Sequence, residues 1–256
     1  NFGMRVLGID PMPGISDKAK ENGIDTLSDF FNSDFSKKVR KQYGSAEIIT
    51  ANNLVADTDD LDDFILGVKN LMDENSIFIF ESFYFYLQIK NFIWDFTYHE
   101  HYSYFTITSL EKYFNSIGMK IIDVEEIPTK GGSMRTSVQL INGKHKIFPS
   151  VEKFKSLEKN FGFPDKKLFK EYCNDIEKSK MVFLSEMNKI SKLKKKISAY
   201  GASATSTTLI YHYEMNKFID CIFDDFKVKQ GLYSPGYNIP VLNPEDIYKN
   251  PPDYII

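Results

Sequence analysis

Between a predicted buried strand and a predicted capped helix lies Trp94-Asp-Phe-Thr-Tyr-His-Glu-His-Tyr-Ser-Tyr-Phe105, which holds two of the chain's four histidines among phenols and carboxylates. Histidine titrates near neutrality, so a histidine of this cluster, flanked by a carboxylate and phenols inside an aromatic wall, suits the work of a general base. The spacing of His99 and His101 also suggests a metal, but two imidazoles make an incomplete ligand set and Glu100 between them points the other way in an extended chain. An aromatic loop that only packs is the third reading.

Four further places could carry chemistry. Asp10 ends the apolar run Arg5-Val-Leu-Gly-Ile-Asp10. A carboxylate at such a strand tip accepts from both ribose hydroxyls in nucleotide-binding α/β folds, or it simply ends the strand before the turn Pro11-Met-Pro-Gly14. Arg135, one of only three arginines, follows the glycine pair of Thr129-Lys-Gly-Gly-Ser-Met-Arg135, as an anion-binding fork or as an exposed residue after a turn. Tyr200-Gly-Ala-Ser-Ala-Thr-Ser206 could cradle a phosphate at a helix N-terminus. Lys229-Gln-Gly-Leu-Tyr-Ser-Pro-Gly236 is a glycine and proline loop after a strand, fit for ligand contact or for turning.

Positioning these groups falls to alternating strands and helices. The spacing predicts strands over 5–10, 46–51 and 76–81 with helices over 16–22, 35–43 and 60–73 between them, the rhythm of a mostly parallel sheet. Thr108-Ser-Leu-Glu111 reads as a capping box opening a helix to about Ile117, and Gly118 stands where a left-handed residue should end it. Residues 119–127 and 133–140 form an antiparallel pair around Gly131-Gly132. From Ser150 to Lys196 lysine and glutamate interleave with apolar residues, predicting two amphipathic helices broken near Pro164, whose lysines are a solvated face. A second α/β unit then begins, with strands over 196–200 and 218–223 and another starting at Asp253. The expected class is α/β, with a truncated Rossmann-like sheet over 1–147, a helical connector over 148–196 and a second Rossmann-like domain over 197–256, both ends cut through folded domains.

Composition bounds the rest. The chain has 256 residues, 42% hydrophobic and 26% charged, enough for a substantial core and unlike a disordered or fibrous sequence. With 32 basic against 35 acidic residues the net charge of −3 leaves no electrostatic footprint for nucleic acid or an anionic membrane. No apolar run reaches the roughly 18 residues of a membrane span. Cys173 and Cys221 are the only cysteines, too few for a disulfide framework or a four-thiolate zinc site, and a reduced, cytoplasmic setting is expected.

In order and across nearly the whole chain, the segments Val6–Pro11, Thr50-Ala-Asn-Asn-Leu54, Tyr98–Phe105, Lys130–Arg135, Tyr200-Gly-Ala and Lys229–Gly236 resemble the S-adenosyl-L-methionine-dependent C-methyltransferases that act on nucleotide-linked keto-deoxysugars. The resemblance implies that His101 is the base, with Glu100 and Tyr98 orienting the imidazole or the sugar. It implies that Asp10 holds the cofactor ribose with Asn52 and Asn53 near it, and that Arg135, Tyr200, Lys229 and Tyr233 meet the nucleotide sugar. It also implies that zinc belongs only to a cysteine-rich domain absent from these residues, and that the transfer needs no metal. The pattern departs from the family at Asp57, where a second histidine is usual, at Thr205-Ser206, where Lys-Gly is usual, and at Asn238, where a histidine is usual. Those departures, with the glycine loop missing, leave room for a nucleotide-sugar-binding scaffold without catalysis. A nicotinamide oxidoreductase on the same kind of sheet fits the His-Glu-His loop less well.

Overall fold

A computed structural model describes residues 3–256. The first half of the chain runs β1 (Gly8–Ile9), α1 (Pro13–Glu21), β2 (Thr26–Leu27), α2 (Ser33–Tyr43), β3 (Ile48–Asn52), α3 (Leu61–Leu71), β4 (Ile77–Phe83), α4 (Phe85–Lys90), α5 (Ile107–Ser116), β5 (Met119–Ile127) and β6 (Ser133–Leu140). The second half runs α6 (Ser150–Phe161), α7 (Lys166–Lys192), β7 (Ile197–Tyr200), α8 (Ala204–His212), β8 (Ile219–Phe223), β9 (Val241–Leu242), α9 (Asp246–Lys249) and β10 (Tyr254–Ile255). The chain forms two compact units, one of Asn1–Leu87 with Tyr102–Phe161, the other of Gln88–His101 with Gly162–Ile256. No helix among the described residues is long and apolar enough to cross a membrane.

In the first unit a four-stranded sheet has the order β3-β4-β6-β5, parallel between β3 and β4 and antiparallel thereafter. A separate two-stranded parallel ribbon pairs Gly8 with Thr26 and Ile9 with Leu27. The apolar run of β4 buries Phe78, Phe80 and Phe83, and Phe80 meets Phe114 of α5 at 6.1 Å between ring centroids. Helix α3 starts at Asp60, whose carboxylate accepts from the Asp63 N–H, and it turns Phe64, Ile65, Val68 and Leu71 inward at helical spacing. The antiparallel pair falls where alternation predicts it, from Met119 against Leu140 to Ile127 against Ser133.

The start of α5 differs from the expected box. Thr106 is the N-cap and exchanges hydrogen bonds with Ser109, so the helix begins at Ile107. The reason is tertiary: Glu158 of α6, fully buried, accepts from the Ile107 N–H at 2.5 Å, the Thr108 N–H at 2.9 Å and the Thr108 hydroxyl at 2.5 Å. Its other strong donor is the Tyr84 hydroxyl at 2.8 Å, and burial followed by the nearby carboxylate pushes that phenol well above its ordinary pKa. A carboxylate at a helix N-terminus satisfies otherwise orphaned N–H groups and complements the helix dipole.

In the second unit a parallel sheet has the order β10-β7-β8-β9. Ile197, Ala199, Ile219 and Ile222 from its strands share a core with Ile210 of α8 and Met187 of α7.

Candidate functional site

The sequence-predicted site residues divide between the units. Glu100, Tyr98, His101, Tyr200, Lys229 and Tyr233 belong to the second, and Asp10, Asn52, Asn53 and Arg135 to the first.

The segment 88–101 leaves α4 through two turns, in which Thr97 N–H donates to the Trp94 carbonyl at 3.1 Å and His101 N–H to the Tyr98 carbonyl at 3.1 Å. It is docked on the helices of its own unit. Trp94 packs edge-on against His212 at 4.9 Å and beside Tyr213 at 5.2 Å, Phe92 meets Tyr172 at 5.9 Å, and the Thr208 hydroxyl donates to the Thr97 carbonyl at 2.9 Å. Burial, then the charge of Asp95, pushes the Tyr172 phenol up to about 12, so it stays neutral. The double turn brings the His101 ring back over residue 96, with Nδ1 at 2.7 Å from the Phe96 carbonyl oxygen. The ring of Tyr98 lies 4.1 Å from that imidazole, and His101 is only 7% exposed. Glu100, with a half-exposed side chain, places its carboxylate 4.0 Å from His99 Nε2. Directly after His101 the chain joins the first unit, where Tyr102 and Ser103 both donate to the Ala56 carbonyl.

At the carboxyl ends of β7 and β8, Tyr200 and Lys229 come together around an acidic pair. Asp224 accepts from Ala202 N–H at 2.7 Å and Phe226 N–H at 2.8 Å, while Lys229 Nζ donates to the Ala202 carbonyl at 2.7 Å and lies 3.5 Å from the Asp224 carboxylate. The Tyr200 hydroxyl donates to Asp225 at 2.8 Å. Burial would raise the Asp224 pKa, but the two backbone N–H donors and the Lys229 ammonium outweigh it and hold the carboxyl below its ordinary range. Tyr233, exposed, bridges to Pro240 on the adjoining loop. Carboxyl strand ends are where open α/β sheets bind ligands. A cavity of about 380 Å³ in this unit lies elsewhere, lined among others by Ser198, Cys221, Phe223 and Lys249.

In the first unit Asp10 follows β1, where its N–H donates to the Leu27 carbonyl and its Oδ1 accepts from Met12 N–H at 2.8 Å. Asn52 ends β3 opposite Glu81, and Asn53 adopts a left-handed conformation with φ of 52°. Both residues are exposed, and the Asn53 N–H donates to the Glu81 carbonyl at 2.8 Å. Arg135 is not an open fork: it pairs with Glu81 at 3.2 Å and Glu125 at 3.1 Å, and Thr129 donates to Glu81 at 2.9 Å. Asp57 sits in a short turn and donates its N–H to the Leu54 carbonyl. Among the described residues no group of three or more His, Cys, Asp or Glu is placed to hold a metal ion.

Glu81, Asp224 and Asp225 escape a search by residue type. An acid inside an otherwise apolar strand and an acidic pair facing a glycine turn are the signals that could have found them.

Residues 128–256, half of the sequence, match the family described as the C-methyltransferase C-terminal domain. The chain belongs to this family. Its similarity to C-methyltransferase NovU of Streptomyces niveus runs at 26% identity over 255 residues, 99% of this chain, and the chain spans 61% of that relative's length. Similar solved structures include a SAM-dependent methyltransferase from Anabaena variabilis, with 15% identity, a TM-score of 0.41, and coverage of 53% of this chain and 68% of that one. Another, an S-adenosylmethionine-dependent methyltransferase from Clostridium acetobutylicum, shows 14% identity, a TM-score of 0.39, and coverage of 55% and 76%.

Proposed function

We propose that the chain is the core of an S-adenosylmethionine-dependent C-methyltransferase whose substrate is a nucleotide-linked keto-deoxysugar and whose base is His101. The observation that carries the reading is the family match over residues 128–256, in a chain whose His-Glu-His segment holds one imidazole against a carbonyl acceptor.

The residues fit the cofactor chemically. Asp10 is an acceptor oriented by Met12 N–H, suited to a ribose diol, and the amides of Asn52 and Asn53 offer donors and acceptors for the rest of an adenosine. When bound, S-adenosylmethionine supplies an electrophilic methyl group on a sulfonium. The remaining work belongs to the chain. A ketone acidifies the carbon beside it; His101 takes the proton from that carbon, the electron pair moves onto the ketone oxygen, and the resulting enolate carbon is the nucleophile for the methyl. General-base assistance of this kind contributes about 10²–10⁴-fold, with the remainder coming from positioning.

Tyr200, Lys229 and Tyr233, at the strand ends ordered by Asp224, are the residues we assign to the nucleotide sugar. Arg135 contributes by tying β6 to both of its neighbours, β4 through Glu81 and β5 through Glu125, since its guanidinium is paired twice.

Replacing His101 with Ala in the full-length protein should lower methyl transfer to a 4-keto nucleotide sugar by at least about 10²-fold. Undiminished turnover would reject the assignment of the base.

A further inference from the structure

We propose that a lysine-lined cavity at the amino ends of β7 and β8 binds a phosphate dianion, either the free ion or the phosphate group of a small ester. The cavity, of about 350 Å³, is lined by Lys194, Lys195, Lys196 and Lys217 against a single carboxylate, that of Asp220. Tyr200 and Lys229 gather at the opposite, carboxyl end of the same strands, so this site is separate from the one assigned to the nucleotide sugar and does not depend on that reading.

Consecutive side chains of an extended strand point to opposite faces, so three lysines in a row do not ordinarily share a cavity. Here α7 ends in a turn in which the Leu193 and Lys194 N–H groups donate to the Ile190 and Ser191 carbonyls at 3.0 and 2.9 Å. Lys194 takes a left-handed conformation, with φ of 53°, at a helix end that favours glycine. The turn brings the residues ahead of β7 beside Lys217, which arrives from the short turn Met215–Lys217 ahead of β8. Lys189 and Lys192, in the last turn of α7, answer the dipole of that helix, and Lys194, Lys195 and Lys196 lie beyond it.

The local charges do not cancel. Lys195 pairs with Asp253 at 2.8 Å, and Lys217 shares Glu214 with Lys180, the latter at 3.1 Å. Lys196 Nζ donates to the Asn250 amide oxygen at 3.0 Å, a neutral acceptor. The Lys194 ammonium has no hydrogen-bond or ion-pair partner among the described residues. Five lysines therefore stand against three carboxylates, Asp253, Glu214 and Asp220, and the two positive charges left over match a phosphate dianion. Each ammonium offers three donors on a flexible stem, the form in which lysine meets phosphate as a point charge. Like charges gathered this closely repel, and a bound dianion relieves that repulsion.

In ¹⁵N-labelled protein at slightly alkaline pH, where phosphate is a dianion, titration with inorganic phosphate should shift the amide signals of residues 191–197 and 217–220 saturably. Sodium chloride at the same ionic strength should not. Shifts that fail to saturate, that match those from chloride, or that are confined to the carboxyl strand ends around Tyr200 and Lys229 overturn the proposal. Combining Lys194→Gln with Lys196→Gln, both exposed positions, should weaken phosphate binding about tenfold, and unchanged affinity overturns it as well. Glycerol 3-phosphate separates the two sources. Tighter binding than that of phosphate assigns the cavity to an ester, weaker binding assigns it to the free ion, and saturable binding of neither rejects the site.

Discussion

Arg135 and Glu81 stand directly opposite one another across β6 and β4, and the guanidinium donates to the carboxylate at 3.2 Å. Glu125, opposite Arg135 on the other flank, takes a second N–H at 3.1 Å, so three strands are laced by one cation between two anions. Cross-strand charge pairs of this kind stabilise a sheet, and the buried partner makes the contact matter more than a surface pair would.

Arg135→Met should therefore lower unfolding free energy by about 1–2 kcal/mol, between the values for exposed and for broken buried pairs, because the arginine side chain is itself partly exposed. Glu81→Gln in the same background should recover part of the loss. Urea titration of the two single variants and the double variant measures the coupling, and strictly additive effects would show that the pair contributes nothing.

Glu158 gives a sharper effect. Four donors converge on it from Tyr84, Ile107 and Thr108, and none can be satisfied by alanine. Glu158→Ala should cost about 3 kcal/mol or more, since buried donors are left without acceptors. Glu158→Gln should be little better, because its amide turns a donor toward donors. A glutamine variant within about 0.5 kcal/mol of the parent in chemical denaturation, the range of ordinary surface changes, would contradict the pinning.

Asp224 predicts a pH dependence whose sign is fixed by the direction of its shift. Its folded pKa lies below the ordinary carboxylate value of 3.8, so its contribution is fully present above that value and is lost as pH falls through the lowered one. The parent protein should lose more stability than Asp224→Asn as pH drops from about 5 toward 2, and the two should converge at the acid end. Parallel denaturation curves across that range would remove the carboxylate from the account.

What could be read from residues alone follows from how local each signal was. The pair Met119–Ile127 and Ser133–Leu140 and the inward face of α3 were legible because their periodicity spans many residues. Strands β2 and β9, each two residues long, have no period to detect. The capping box was displaced because Thr108-Ser-Leu-Glu111 satisfies the local rule while Glu158, some fifty positions away, decides where the helix begins. His101 stood out by residue type, but the Phe96 oxygen against it is a main-chain atom with no signature in the sequence. Arg135 was conspicuous by rarity, and rarity does not show that two carboxylates already hold it.

The path of the chain, which departs from the first unit after Leu87, returns at Tyr102 and departs again after Phe161, limits how such a protein can be recombined. A chimera joined to a relative's sequence at residue 162 would keep its own Trp94 and Thr97 but receive foreign counterparts of Thr208, His212 and Tyr213. Fragment exchange between homologues therefore needs three junctions instead of one, with Gln88–His101 inherited together with the helices that seat it.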